Sequence, residues 1–252
     1  MNACGPVDRN DGGAAALLVR REDAVTHVIL NRPDKLNAFN PELVEALLAV
    51  VQQSCHDGTR LMVLQGAGRN FSAGFDLGDY ESQSEGDLVL RFIRVEQLLQ
   101  AVYHAPFQTM ALAHGKNFGA GVDLVCACNM RVATADSSFR MPGLRFGLVL
   151  GTRRLVQRIG TDRARDVLAR SANFSAGDAA AMGFIARTCE QEGWPELVRV
   201  AADAAASLSA DATAALLKVS VPDTREADLA ELVRSASVPG LKERLRRYRA
   251  QS

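Results

Sequence analysis

The sequence predicts an α/β fold with a helical C-terminal section, and three observations carry that prediction. Through the first two-thirds of the chain, short β-branched or apolar runs alternate with stretches whose apolar residues recur at helical spacing. From about Pro195 onward only the helical pattern remains. Two glycine turns, SAGFDL (72–77) and GAGVDL (119–124), follow extended runs, and the second opens an apolar helix.

The elements follow in order. ALLVRRE and VTHVILN flank a turn near Asp23, and their β-branched residues favour a strand pair. After the turn NRPDKLNAF, Asn40 is placed to cap a helix that has Pro41 at its first position. That helix, PELVEALLAVVQQSC, carries Leu43, Leu47, Val50 and Val51 at helical spacing, and the buried strand RLMVLQG completes a βαβ unit. Residues 66–86 read as a loop. A helix is expected from about Leu88 to Val102, closed by Pro106. Then come strand QTMALAHG, turn KNFGAG, helix DLVCACN and strand MRVATAD. RLVQRIG and TDRARDVLARSA read as helices, and Ser175 caps a further short one. The alanine-rich stretch 202–219 has the propensity and leucine spacing of packed helices. Three regions result: a loosely attached N-terminus over 1–14, a core over 15–195, and a helical section over 196–252.

Composition narrows the function classes. The chain has 252 residues, with 29 Lys plus Arg balancing 29 Asp plus Glu. Zero net charge gives no electrostatic case for nucleic acid as a partner. No stretch approaches 18 uninterrupted apolar residues, so no membrane span is expected, and the first residues lack a signal-peptide pattern. The five cysteines lack framework spacing, which fits reduced thiols and a cytoplasmic location. Cys126 and Cys128 form a C-x-C in an apolar run with no second pair, so they are expected as packed core thiols and no metal site is expected.

The two turns suit one kind of chemistry. A thioester enolate needs its oxygen charge stabilised, and two backbone N–H groups aimed at one point do this without reorganising. Glycines let the backbone approach a ligand closely, and the helix after the second turn adds a favourable dipole. Bare strand–helix turns are the plain alternative. A dinucleotide site is not indicated, because Phe71 and Leu124 stand where the third glycine of G-x-G-x-x-G belongs. Ser72 has no G-x-S-x-G elbow. His27, His56 and His104 show no ligand spacing, and His114 reads as a core or interface histidine.

From about Ala15 to Pro195 the chain resembles the crotonase (enoyl-CoA hydratase/isomerase) superfamily in one colinear run. NRPDKLNAF, NFSAGFDL, AHGKNFGAGVDLVCACNMRVATADSSF and ARSANFSAGDAAAMGFI carry the resemblance, in order and at matching spacing. It implies a spiral of ββα turns with a helical C-terminal section, and a homotrimer or hexamer. It implies an acyl-CoA thioester as partner, with no cofactor beyond that CoA. It places the oxyanion hole at the amides of Phe75 and Ala120. It sets Lys35, Leu36, Ala38, Ala73, Asp76 and Leu77 along the CoA, with Lys35 equally readable as a solvated turn lysine. The basic helix KERLRRYR (242–249) reads either as a phosphate contact or as a solvated face.

The sequence departs from that pattern where hydratases carry two glutamates. The first position is Asp123, shorter by one methylene, roughly 1.5 Å of reach. The second is Gly143. The stretch GLVLGTRRL beside it is about two residues shorter than the family's usual one, and Ala120 replaces a glycine. Two acids suit water addition, so an ordinary hydratase is not expected. Three readings stay open: Asp123 as a lone acid–base group in isomerase or lyase chemistry; Arg140 or Arg145 in the acyl pocket holding a substrate carboxylate; or an acyl-CoA binder or structural homologue in which Asp123 only caps its helix.

Overall fold

The computed structural model describes residues 15–251; the segment 1–14 expected to be loosely attached lies outside the described residues. The expected hairpin forms from β1 (Leu17–Glu22) and β2 (Val25–Leu30), paired antiparallel across a turn with Asp23 at φ 50°. The Asn40 side chain accepts a hydrogen bond from the Leu43 amide at 3.0 Å and so caps α1 (Pro41–Ser54). This helix buries Leu43, Leu47, Leu48 and Val51 and returns the chain to β3 (Leu61–Gly66), parallel to β2.

The next helix, α2 (Glu85–Tyr103), starts three residues before the first apolar position. The reason is a capping box: Ser84 accepts from the Asp87 amide, and Asp87 accepts in return from the Ser84 amide. After β4 (Gln108–Ala113), the segment read as a turn contains β5 (Lys116–Phe118). The helix read from Asp123 begins at Ala120, as α3 (Ala120–Ala127). The chain continues through β6 (Met130–Ala133), β7 (Ser138–Arg140), α4 (Thr152–Ile159) and α5 (Thr161–Arg170). It then passes β8 (Phe174–Ser175), α6 (Ala176–Ala181), capped by Ser175 as expected, and β9 (Arg187–Thr188). Strands of two or three residues carry no readable period, so β7, β8 and β9 escaped the sequence reading.

The main sheet has the order β1-β2-β3-β4-β6-β9 and is parallel after the first hairpin. A smaller sheet has the order β5-β7-β8. Four helices follow: α7 (Trp194–Ala206), α8 (Ala210–Val219), α9 (Arg225–Ala236) and α10 (Leu241–Ala250). Trp194, Ala201 and Ala205 of α7 pack with Leu61, Val63, Met110, Leu112 and Val132 on one sheet face. On the other side, Leu232, Leu241 and Leu245 of α9 and α10 bury against Leu88, Phe92, Phe146 and Leu148. Cys126 and Cys128 are fully buried, and burial pushes their thiols up to about 11 and about 12. Among the described residues, no His, Cys, Asp and Glu cluster could hold a metal ion, and no single helix is long and apolar enough to cross a membrane.

Asn37 ties the first turn to the rest. It is fully buried at φ 53°, in the left-handed region that asparagine tolerates. Its side-chain oxygen accepts from the Arg32 amide at 2.8 Å, and its side-chain amide donates to the carbonyls of Ala67 and Asn70, both at 2.9 Å. Asn37→Ala removes all three bonds while keeping the strained backbone. The expected cost is about 3 kcal/mol of unfolding free energy, read from urea denaturation.

Candidate active site

The two glycine turns lie against each other. The Phe118 amide donates to Ser72 O at 3.0 Å. A Cβ at Gly74 (φ 80°) would lie 2.3 Å from Phe118 O and 2.9 Å from Ala120 N; one at Gly121 would lie 2.5 Å from Ser72 O. Only glycine permits this approach from either side. Phe39 bridges the first turn, donating to Gly74 O at 2.6 Å and accepting from Asp76 N at 3.1 Å. In a parallel bridge of this kind the amide of the middle residue, Phe75, faces away from Phe39. Ala120 is the first residue of α3, so its N–H has no acceptor within the helix. Among the described residues neither amide makes a backbone hydrogen bond outside the regular elements.

Phe75 and Ala120 both line a cavity of about 140 Å³. Its wall is largely apolar, with Leu77, Phe92, Met141, Leu144, Phe146, Leu148 and Leu150 contributing. The Phe75 ring is fixed from two sides, stacked on Phe92 at 4.1 Å and covered by the Arg91 guanidinium at 4.3 Å. Arg91 also donates to Asp76 O at 2.7 Å, which holds the turn.

One carboxylic acid reaches this cavity. Asp123 is 3% exposed, and its Oδ1 has no hydrogen-bond partner. Gly151, at the N-terminus of α4, presses on it so closely that a Cβ there would lie 1.9 Å from Oδ1. Burial pushes the Asp123 carboxyl up to about 8; Arg154 pulls the other way and Glu96 adds to the rise. Behind it lies an ion pair that the sequence reading missed. Glu96 on α2 and Arg154 on α4 pair bidentately at 2.8 and 2.5 Å, with side chains only 1% and 2% exposed. Asp228 on α9 stands 3.7 Å from Arg154 and pairs with Arg153 at 2.8 Å. A signal existed for Glu96: it sits on the same helical face as the core residues Phe92 and Leu99.

The other expected site residues scatter. Ala73 and Leu77 line the cavity, as does Gly143, in a wall that also includes the apolar Leu144 and Leu148. Leu36 O accepts from the Ala73 amide at 2.9 Å, so Lys35, Leu36 and Ala38 run alongside the first turn without lining the cavity. The Asp76 side chain turns to Arg32 at 2.8 Å and to the Gly78 amide at 2.9 Å. Burial opposes its charge, but those partners hold its carboxyl below the ordinary value. Arg140 and Arg145 point away from the cavity, donating to Ser171 O at 2.9 Å and Arg170 O at 2.6 Å. On α10, Lys242 and Arg244 hold neighbouring loops through the carbonyls of Gln83 and Phe146, while Tyr248 lines the cavity. His114 is buried beside Trp194, its Nε2 contacts Gly68 O at 3.0 Å, and it does not line this cavity. It lines a larger, more open groove of about 930 Å³ between the first hairpin and α7.

Fold and cavity together define a spiral α/β protein with an apolar pocket between two free amides and a buried acid. The chain belongs to the enoyl-CoA hydratase/isomerase family, whose pattern matches residues 20–237. It is 49% identical to a Bordetella parapertussis protein solved under the enoyl-CoA hydratase/isomerase description, with TM-score 0.94 over 95% of this chain and 100% of that one. It is 31% identical over 191 residues to the Mycobacterium tuberculosis protein named "Probable enoyl-CoA hydratase echA6", covering 73% of this chain and 76% of that one. It is 32% identical over 203 residues to the human mitochondrial Delta(3,5)-Delta(2,4)-dienoyl-CoA isomerase, covering 74% of this chain and 60% of that protein.

Holding Asp123 protonated has a thermodynamic signature. Its carboxyl lies at about 8 in the fold against an ordinary 3.8. Between those values the folded state binds more protons than the unfolded state, so stability falls as pH rises from about 4 to about 8. Asp123→Asn removes this slope. The variant is expected to melt higher than the parent, by a margin that grows between pH 5 and pH 8 in calorimetric scans.

Proposed function

We propose that the chain moves a proton on the acyl group of a CoA thioester, by isomerase or lyase-type chemistry rather than two-acid hydration. The observation that carries this reading is the cavity wall: Asp123 is its one carboxyl, and the residues around Gly143 are apolar. The Phe75 and Ala120 amides would receive the thioester oxygen as its charge develops. Ala73 and Leu77, with the adjoining Lys35–Ala38 segment and Asp76, would lie along the CoA. No cofactor beyond the CoA of the substrate enters this reading, which also includes a homotrimer or hexamer and a cytoplasmic location.

For double-bond migration the steps balance on one acid. The Asp123 carboxylate takes a proton from C2 of a 3-enoyl thioester. The C–H electrons move into the C1–C2 bond, and the oxygen takes the charge between the two amides. Asp123 then returns the proton to C4, leaving the double bond between C2 and C3. A carboxyl tuned toward neutrality suits this exchange, because it must both take and give the proton near the working pH. The placement of Arg140 and Arg145 gives a substrate carboxylate no cation in the cavity, which favours isomerisation over decarboxylation.

The experiment is a panel of 3-enoyl-, 2-enoyl- and malonyl-type CoA thioesters assayed with the parent and Asp123→Asn. Isomerisation should be present in the parent and fall by about 10²-fold or more in kcat in the variant, with CoA affinity by calorimetry little changed. Equal rates in both, on every substrate, would overturn the role of Asp123.

The pH profile separates the two chemistries. Isomerisation begins from the carboxylate, and with a carboxyl at about 8 only about a tenth is ionised at pH 7. Thus kcat/KM should rise about tenfold per pH unit and level above about pH 8. A lyase that only protonates an enolate starts from the acid, so its profile would fall above that pH.

A further inference from the structure

We infer that the buried Glu96–Arg154 pair is a positioning device that sets the protonation of Asp123, with Arg154 favouring the carboxylate and Glu96 holding that effect in check. The inference rests on the reading of Asp123 as the proton carrier.

The geometry supplies the argument. Three helices bring their charges to one buried point behind the cavity. Glu96 and Arg154 satisfy each other through two hydrogen bonds, and both are almost fully buried. Asp228 is taken up by Arg153 and by the Thr224 hydroxyl, the latter at 2.6 Å. The cluster is therefore neutral as two pairs, and Asp123 is the one carboxyl left over. Two polar atoms in it have no partner: Arg154 Nε, a donor, and Asp123 Oδ1, an acceptor. Gly151, three residues before Arg154 and leading into the same helix, presses on that Oδ1, so Arg154 and Asp123 are held in a fixed relation. The other elements packed on α3 add little charge that faces Asp123. β4 has no ionisable side chain, and Lys116 of β5 is exposed. On α3 itself Cys126 is a neutral thiol; Tyr103 of α2 and Arg158 of α4 lie against each other, with Arg158 bonded to the Cys126 and Cys128 carbonyls.

A buried pair of this kind does not stabilise a fold more than apolar residues of the same volume. What it does here is govern a neighbour. Removing the negative member leaves Arg154 with Asp228 alone, at 3.7 Å, so less of its charge is compensated and the Asp123 carboxylate is favoured. Removing the positive member takes away the cation that favours it. The two substitutions therefore push Asp123 in opposite directions, which loss of packing alone would not do.

The test is a carboxyl-carbon NMR titration of the full chain labelled at aspartate, without substrate, with the Asp123 signal assigned by Asp123→Asn. Glu96→Gln should lower the Asp123 titration by about 1 unit or more, and Arg154→Met should raise it. Arg154→Lys, which keeps the charge, should return it toward the parent value. If Glu96→Gln does not fold, Asp228→Asn carries the test, with a smaller shift in the same direction. Shifts of the same sign in the Glu96 and Arg154 variants, or no shift in any foldable variant, would overturn the inference. The titration and the turnover assay fail separately. Opposite shifts without acyl-CoA turnover would uphold the pair and sink the isomerase reading; turnover with fixed titration would do the reverse.

Discussion

At Gly74 and Gly121 two backbone turns come closer together than any side chain would allow, and the site is built outward from that contact. Because Gly74 has no Cβ, the Phe118 carbonyl and the Ala120 amide can lie against it. Because Gly121 has none, Ser72 O can sit over the first turn of α3. The Phe39 bridge then orients the Phe75 amide, and the start of α3 exposes the Ala120 amide. Both are main-chain groups, so neither has rotamer freedom to lose. Arg91 locks the first turn from above through Asp76 O and the Phe75 ring. The helical section contributes by covering the cavity, with Tyr248 in its wall and Leu241 and Leu245 packed behind Phe146.

The same contact decides where the acid goes. Asp123 lies one turn into α3, so a helix that starts against Ser72 carries its carboxyl inward beneath the cavity. There it meets Gly151 and loses nearly all its water. An ionised carboxylate without hydrogen bonds is costly in such a place, and the group responds by keeping its proton. A carboxyl that only capped its helix would accept from the backbone N–H groups of the first turn and would be held below its ordinary value. Asp123 makes no such bond through Oδ1, and its carboxyl is raised. The surroundings of Asp123 are therefore not those of a carboxyl that caps its helix.

Legibility in the sequence followed the range of the interaction. The Asn40 and Ser175 caps, the hairpin at Asp23 and the two glycine turns are decided by residues within four or five positions, and the structure places them as read. The Ser84–Asp87 box was equally local but was passed over, because the helix was started at its first apolar residue. The short strands of the second sheet exist only because their partners are nearby in space. The pairing of Glu96 with Arg154 spans 58 positions and joins two helices, so nothing local announces it. Arg140 and Arg145 show the opposite failure: they lie near Gly143 in the chain, but the direction of each side chain is set by the carbonyls of Arg170 and Ser171 at the end of α5.

The wall near Gly143 bears on the reaction proposed for this cavity. Water addition needs a water molecule held in place, and a buried water is kept by two to four polar partners. Near Gly143 the wall includes Met141, Leu144 and Leu148, and a Cβ on the glycine would make a tight contact, 3.1 Å from Leu148 O. The cavity of about 140 Å³ is largely apolar, with Asp123, Thr152 and Tyr248 as the polar side chains in its wall. In the proposed reaction, a wall of this kind would limit stray protonation of an enolate and leave Asp123 to carry the proton. Under the proposed function, the largely apolar wall and the single buried carboxyl favour moving a proton within the substrate over adding water to it.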